Sequence, residues 1–346
     1  MAANRIRTFL IEDSAFMRQV ISDIISVDSE IDLIGTASDG KEGSHKVLEL
    51  KPDVVITDMV MPEYDGMYVV RSVMETRPVP VILLSSLEKT NSRIFDALQC
   101  GAFEFIDKPT DLDAASIKNY PLLALIKEAS KTDVGLLKDK KSGKQNSATH
   151  TFSDALNYEI VVIGSSTGGP GAVESIVMNL PKNLKIPVVI AQHMPVRFLE
   201  TFAVRLNERS PLAVHMARKG EVLKPGTIYI APGDANLRIE PNLLNGRPIF
   251  VYTNKRFTEF NHPSVDCLFE SAASTYGKKS IGVILTGMGK DGMAGLSKIR
   301  ASGGYTIAQD EASSVVYGMP KAALDAGAVQ QVVRLNEIPG FIVSCL

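Results

Sequence analysis

Gly164-Ser165-Ser166-Thr167-Gly168 fits the pattern G-x-S-x-G. In that spacing the flanking glycines let the backbone bend sharply and hold the central hydroxyl, that of Ser166, above the end of a strand. The free N–H groups of a helix starting just behind it can stabilise an oxyanion. Such a serine needs a base and a group to orient that base. His193 and Asp291 both follow apolar runs that read as strands, so a parallel sheet would bring them to the edge that carries Ser166. The histidine would take the serine proton, and the carboxylate would fix its tautomer and stabilise the imidazolium. A second set lies earlier in the chain: Glu12, Asp13, Asp58, Ser85 and Lys108. Carboxylates packed together disfavour ionisation unless a cation sits among them, and hard oxygen donors with room for water suit Mg²⁺. Lys108 adds an opposing charge and Ser85 a hydroxyl. That set can bind a metal beside a phosphoryl group, with Asp58 as the nucleophile that accepts it.

Each reading has a plainer rival. Glycine-rich loops after strands also bind phosphate or simply turn. Here Gly164, Gly168, Gly169 and Gly171 miss the G-x-G-x-x-G fingerprint, and no lysine follows in P-loop spacing. His262 opens His262-Pro-Ser-Val-Asp266, which reads as a helix start capped by Ser264, and it competes with His193. Asp234 and Asp266 compete with Asp291. His45 falls on a helix surface, His150 in a polar stretch, and His215 in an alternating strand. Taken singly, Glu12, Asp13 and Asp58 are solvated strand-end carboxylates; taken with Ser85 and Lys108-Pro109 they read as a site.

The elements that position these residues follow from apolar periodicity. Thr8–Ile11, Asp53–Thr57, Val79–Leu84 and Phe103–Ile106 read as strands, with a helical pattern from Ala15 to Ile25. Their alternation implies an α/β fold with a parallel, doubly wound sheet, whose ligand sites form at the C-terminal strand ends. Asp133–Asn157 is polar and lysine-rich, a flexible connector. After it, Ile160–Ile163, Pro187–Ala191, Thr227–Ala231 and Ile281–Leu285 read as strands of a second, mostly parallel α/β domain. Asn236–Glu240 and Ile249–Thr253 form a hairpin-like excursion around Asn245-Gly246.

Composition bounds the function. The 346 residues are long enough for two packed domains. A net charge of -2 argues against a general nucleic-acid binder, and no helix-turn-helix pattern follows the connector. Cys100, Cys267 and Cys345 have no metal or redox spacing, which suggests a reducing compartment. The start of the sequence lacks the apolar core of a signal peptide, and no apolar run approaches membrane-spanning length. The expectation is a soluble cytoplasmic protein.

Residues 5 to about 125 resemble a response-regulator receiver domain of flavodoxin-like fold. The resemblance rests on Leu10-Ile-Glu-Asp-Ser14, Asp58-Met-Val-Met-Pro-Glu-Tyr-Asp-Gly66, Leu84-Ser-Ser86 and Asp107-Lys-Pro109, in order and correctly spaced. It implies that Asp58 is the phospho-acceptor. Glu12, Asp13, Asp58 and the Val60 carbonyl would hold Mg²⁺. Ser85 and Lys108 would read the phosphoryl group, Phe105 would be the aromatic switch, and the Lys108–Pro109 bond would be cis. A linker over 126–157 then leads to residues 158–346. These are similar to the catalytic domain of the chemotaxis protein-glutamate methylesterase (CheB) family, which is Rossmann-like. The matching stretches are Ile163-Gly-Ser-Ser-Thr-Gly-Gly169, Gln192-His-Met-Pro195, His262-Pro-Ser-Val-Asp266, Leu285-Thr-Gly-Met-Gly-Lys-Asp-Gly292, Gln309-Asp-Glu-Ala312 and Val316-Tyr-Gly-Met-Pro320.

That second resemblance implies Ser166 as nucleophile, His193 as base and Asp291 as its carboxylate, with the backbone N–H groups of Thr167 and Met288 as oxyanion donors. It also implies methyl-accepting chemotaxis receptors as substrates, deamidation of their glutamines at the same site, and a chemotaxis histidine kinase as phosphodonor. Contact with the membrane would run only through the receptors. Mg²⁺ would serve the receiver alone, with no cofactor for ester hydrolysis. The fusion suggests that the unphosphorylated receiver covers the Ser166 edge and that phosphorylation relieves this. An output domain that only binds an anion or a partner is the alternative.

Overall fold

Val54-Val-Ile-Thr-Asp58 and Ile160-Val-Val-Ile-Gly-Ser165 are buried at every position. A strand covered on both faces must be apolar throughout, and its polar residues are pushed to its ends. The computed structural model of the chain describes residues 5–85, 91–110, 120–138, 158–257 and 262–346. Ser86, His150 and most of the expected connector lie outside the described residues. The chain divides into two compact units, Met1–Ser142 and Gly143–Leu346.

The first unit holds β1 (Ile6–Ile11), α1 (Ala15–Ser26), β2 (Ile31–Ala37), α2 (Gly40–Leu50), β3 (Val54–Asp58), α3 (Gly66–Thr76), β4 (Val81–Ser85), α4 (Asn91–Gln99), β5 (Glu104–Asp107), α5 (Leu122–Ala129) and α6 (Gly135–Lys138). Its parallel strands run in the order β2-β1-β3-β4-β5. This is the flavodoxin-like order, with its switch point between β1 and β3. β2, which the apolar pattern did not single out, pairs with β1 through a register shift at Thr8/Phe9. Helix α5 buries Leu122, Leu125, Ile126 and Ala129.

The second unit holds β6 (Ile160–Ser165), α7 (Gly169–Asn179), β7 (Val188–Gln192), α8 (Val196–Arg209), β8 (Ala213–Met216), β9 (Thr227–Ile230), β10 (Asn236–Pro241), β11 (Pro248–Thr253), α9 (Val265–Tyr276), β12 (Ser280–Ile284), α10 (Met293–Ala301), β13 (Tyr305–Gln309), α11 (Met319–Asp325), β14 (Gln331–Val333) and α12 (Ile338–Ser344). Seven parallel strands run β14-β13-β12-β6-β7-β9-β8, and β10 and β11 form a separate antiparallel pair. The chain starts this sheet at β6, winds outward through β7, then returns to β12 on the other side. β6 is therefore the switch point, where loops on its two sides part and leave a crevice.

Glycines let the helices close onto this sheet. A Cβ on Gly164 would lie 2.2 Å from Val265 Cγ1 on α9, and one on Gly282 would lie 2.7 Å from Ile299 and Leu296 on α10. Gly164→Ala is expected to destabilise the protein by roughly 1–3 kcal/mol through overpacking. Gly340, whose Cβ would meet nothing within 4 Å, is the control: Gly340→Ala should be neutral or stabilising. Urea unfolding followed by circular dichroism measures both, and equal midpoints for the two variants would contradict the packing argument.

Candidate active site

Register alone brings the candidate residues together. Ser165 pairs with Gln192 and Gly164 with Ile284, so Ser166 and His193 leave neighbouring strands side by side, with the β12 loop on the other flank. The His193 N–H donates to Ser165 O at 2.9 Å, and the Ser166 N–H donates to Thr286 O at 3.0 Å. Gly168, at φ 73°, takes the left-handed conformation that the turn into α7 needs, and the Gly169 N–H closes it on Ser166 O at 2.7 Å. Ser166 Oγ makes no hydrogen bond among the described residues.

Asp291 lies under the histidine. Its Oδ2 is 2.8 Å from His193 Nε2 and also accepts from the Val265 N–H at 2.7 Å. Its Oδ1 accepts from the Asp266 N–H at 2.9 Å and from Ser264 Oγ at 3.2 Å. The carboxylate thus sits on the N-terminus of α9, where the free N–H groups and the helix dipole favour an anion. Burial pushes its pKa up, but the His193 ring and the Asp266 and Val265 amides outweigh that and hold it below the ordinary carboxylate value. An ionised Asp291 assigns the Nε2 proton to His193 and leaves Nδ1 as the ring's acceptor.

The rivals fall elsewhere. His262 is exposed, and its bond to Pro263 is cis. Asp234 is exposed. Asp266 turns to α10 and accepts from the Gly295 N–H at 2.7 Å; burial, with Asp291 and Glu270 nearby, pushes it up to about 6. The N–H groups of Thr167 and Met288 meet no acceptor among the described residues.

Sequence reasoning missed two polar residues that shape this site. Thr286 donates its N–H to Gln309 Oε1 at 2.8 Å, and its Oγ1 lies 2.9 Å from Thr167 O and accepts from the Val316 N–H at 2.9 Å. Gln192, 1% exposed, bonds to the residues on either side of the turn. Both stand next to residues already singled out, but nothing in their spacing reveals which atoms they reach.

The first unit gathers its own set at the C-terminal strand ends. Carboxylate oxygens of Glu12, Asp13 and Asp58 lie within 4.8 Å of one another. Lys108 Nζ donates to Asp58 Oδ2 at 2.8 Å and to Glu12 Oε1 at 3.0 Å. Glu12 Oε2 is buried and faces the same ammonium at 2.7 Å, but without hydrogen-bond geometry. Burial, aided by Asp58, pushes Glu12 up to about 7 against the pull of Lys108, and burial also raises Asp58. Burial opposes the charge on Lys108, but Asp58 and Glu12 outweigh it and raise its pKa. Ser85 ends β4 and its carbonyl accepts from the Lys108 N–H at 2.9 Å; Phe105 is buried in β5. The Val60 N–H donates to Asp58 Oδ1 at 3.2 Å. The Lys108–Pro109 bond, expected cis, is trans. The two isomers of an X–Pro bond differ by only about 0.5–1 kcal/mol, so the local packing decides.

The family models agree with this division. That of the CheB methylesterase matches residues 161–342, and that of the response regulator receiver domain matches residues 8–117. The chain belongs to the CheB methylesterase family. A protein-glutamate methylesterase/protein-glutamine glutaminase of Thermotoga maritima is 40% identical over 337 residues, covering 96% of each chain. One of Methanococcus maripaludis is 37% identical over 356 residues, covering 97% of this chain and 96% of that one. The crystal structure of the Thermotoga maritima CheB methylesterase catalytic domain matches with TM-score 0.53 and 42% identity, covering 55% of this chain and all of that one. Among the described residues no helix is long and apolar enough to cross a membrane.

Ser264 joins the Asp291 carboxylate to the stability of α9, since its Oγ also accepts from the Cys267 N–H as the helix cap. Ser264→Ala is expected to cost about 1 kcal/mol of stability. A thermal melt of the full chain checks this; an unchanged midpoint would mean that the cap contributes nothing.

Proposed function

We propose that the second unit hydrolyses glutamate γ-methyl esters on methyl-accepting chemoreceptors, through Ser166, His193 and Asp291. The observation that carries this is the 2.8 Å bond between His193 and the buried Asp291 on the strand edge that presents Ser166. His193 Nδ1 takes the Ser166 proton as Oγ attacks the ester carbonyl. The tetrahedral oxyanion accepts from the Thr167 and Met288 N–H groups. Methanol leaves with the proton returned by His193, and a glutamyl ester of Ser166 remains. Water, deprotonated by the same ring, then releases glutamate. A glutamine side chain passes through the same intermediate with ammonia as leaving group, which supports deamidation.

The first unit regulates this chemistry as a receiver. Asp58 accepts the phosphoryl group from the histidine kinase of the chemotaxis system, and Ser85, Lys108 and Phe105 respond to it. The three carboxylates and the Val60 carbonyl fit Mg²⁺, which supplies charge neutralisation at the phosphoryl oxygens when bound. Carboxylate oxygens of Glu12, Asp13 and Asp58 within 4.8 Å of one another suit a hard cation. The setting is cytoplasmic, with no nucleic acid involved.

The test is methanol release from methylated chemoreceptor by wild type and Ser166→Ala, each with and without a small phosphodonor. Release by wild type alone, raised by the donor, is expected; equal release by Ser166→Ala would reject the serine as nucleophile. A second expectation concerns pH. Glu12 is raised in the folded, metal-free receiver, so its neutral form adds stability below about 4.5, which fades as pH rises through about 7. Mg²⁺ must displace that proton, so its affinity should increase as pH rises from 6 to 8. Calorimetric titration measures this, and an affinity independent of pH would contradict the raised Glu12.

A further inference from the structure

The ladder between β6 and β7 ends at the pair Ser165–Gln192. Beyond that pair the two strands part, and the next residues are Ser166 and His193. The Gln192 side chain spans the gap. Its Nε2 donates to Ser166 O at 2.9 Å and to His193 O at 2.9 Å, while its Oε1 accepts from Ser165 Oγ at 2.6 Å. Both amide hydrogens are used, so the amide has one orientation: turned over, it would set Oε1 against two carbonyl oxygens. The group is 1% exposed. Gly169 belongs to the same device, because a Cβ there would lie 2.2 Å from Gln192 Oε1 and 2.9 Å from Ser165 Cβ.

We infer that Gln192 is a positioning residue for hydrolysis. It clips the backbone carrying the hydroxyl to the backbone carrying the imidazole, and so sets their separation. The bond from His193 to Asp291 fixes the ring at one end only; Gln192 fixes the distance from that ring's backbone to the serine. This rests on the reading of Ser166 as nucleophile. Gln192 bonds to neither the Ser166 hydroxyl nor the His193 ring and takes no proton. Its loss should slow the chemical step and leave substrate binding alone, because reacting groups displaced by about 1 Å lose on the order of 10²-fold in rate.

The experiment uses the full chain with a small phosphodonor and methylated chemoreceptor. Gln192→Met keeps the length and removes all three bonds. Gly169→Ala keeps the glutamine and displaces its amide. Both should lower kcat by about 10²-fold with KM within about 2-fold of wild type. The rate at which a fluorophosphonate labels Ser166 should fall in parallel, which reads the serine without the receptor. Circular dichroism checks folding, and Gly169→Ala carries the test alone if Gln192→Met does not fold. A folded variant with wild-type kcat, or with a raised KM and unchanged kcat, overturns the role of Gln192. Ser166→Ala is run beside them: if it retains wild-type hydrolysis, the nucleophile reading itself falls. If it is inactive while Gln192→Met is fully active, only the clip falls.

Discussion

A carboxylate with almost no exposure to water constrains the second unit more than any other group. Burying a lone, ionised Asp291 would cost several kcal/mol, a large share of a protein's net stability, unless its charge were matched. Four donors match it: two amides and a hydroxyl at the start of α9, and the His193 ring. Those donors come from separate segments, so the carboxylate holds the loop after β12, the first turn of α9 and the end of β7 in one arrangement. The same four contacts fix which ring nitrogen carries a proton. Stability and proton placement therefore share one set of bonds.

The two units obey one topological rule and reach opposite electrostatics. Each is a parallel sheet whose polar residues gather at the C-terminal strand ends. In the first unit three carboxylates face one lysine, and burial, aided by the Asp58 charge, pushes Glu12 up to about 7. In the second a single carboxylate is saturated by donors and held low. The first arrangement offers hard oxygen ligands to a cation.

Close approach of backbone is the other requirement of the serine edge. A Cβ on Gly287 would lie 2.4 Å from Met319 Sδ and 2.7 Å from Ser166 Cβ, and one on Gly318 would lie 2.6 Å from Gly287 O. Three loops therefore stack at distances that no larger residue allows. The Thr286 side chain bonds across them to Thr167 and Val316. The N–H groups proposed as oxyanion donors, those of Thr167 and Met288, belong to these stacked loops, so their direction is set by the stacking.

The sequence by itself determined where chemistry would sit. A strand buried on both faces is a mostly apolar run, so Asp58, Ser166 and His193 stood out among the polar residues at the ends of such runs. The doubly wound order followed from alternation, and the motifs pointed to the family. Weakly patterned elements were not legible: β2 is half-exposed along its middle, and β14 has three residues. Only the tertiary structure set His193 against a carboxylate and left His262 exposed, although both stand beside a strand or helix end in the sequence. It did so through the position of Asp291, ninety-eight residues further on in the chain. Gln192 was invisible for the same reason. Its role depends on three partner atoms, two of them across the sheet, and spacing along one chain does not record which atoms meet there.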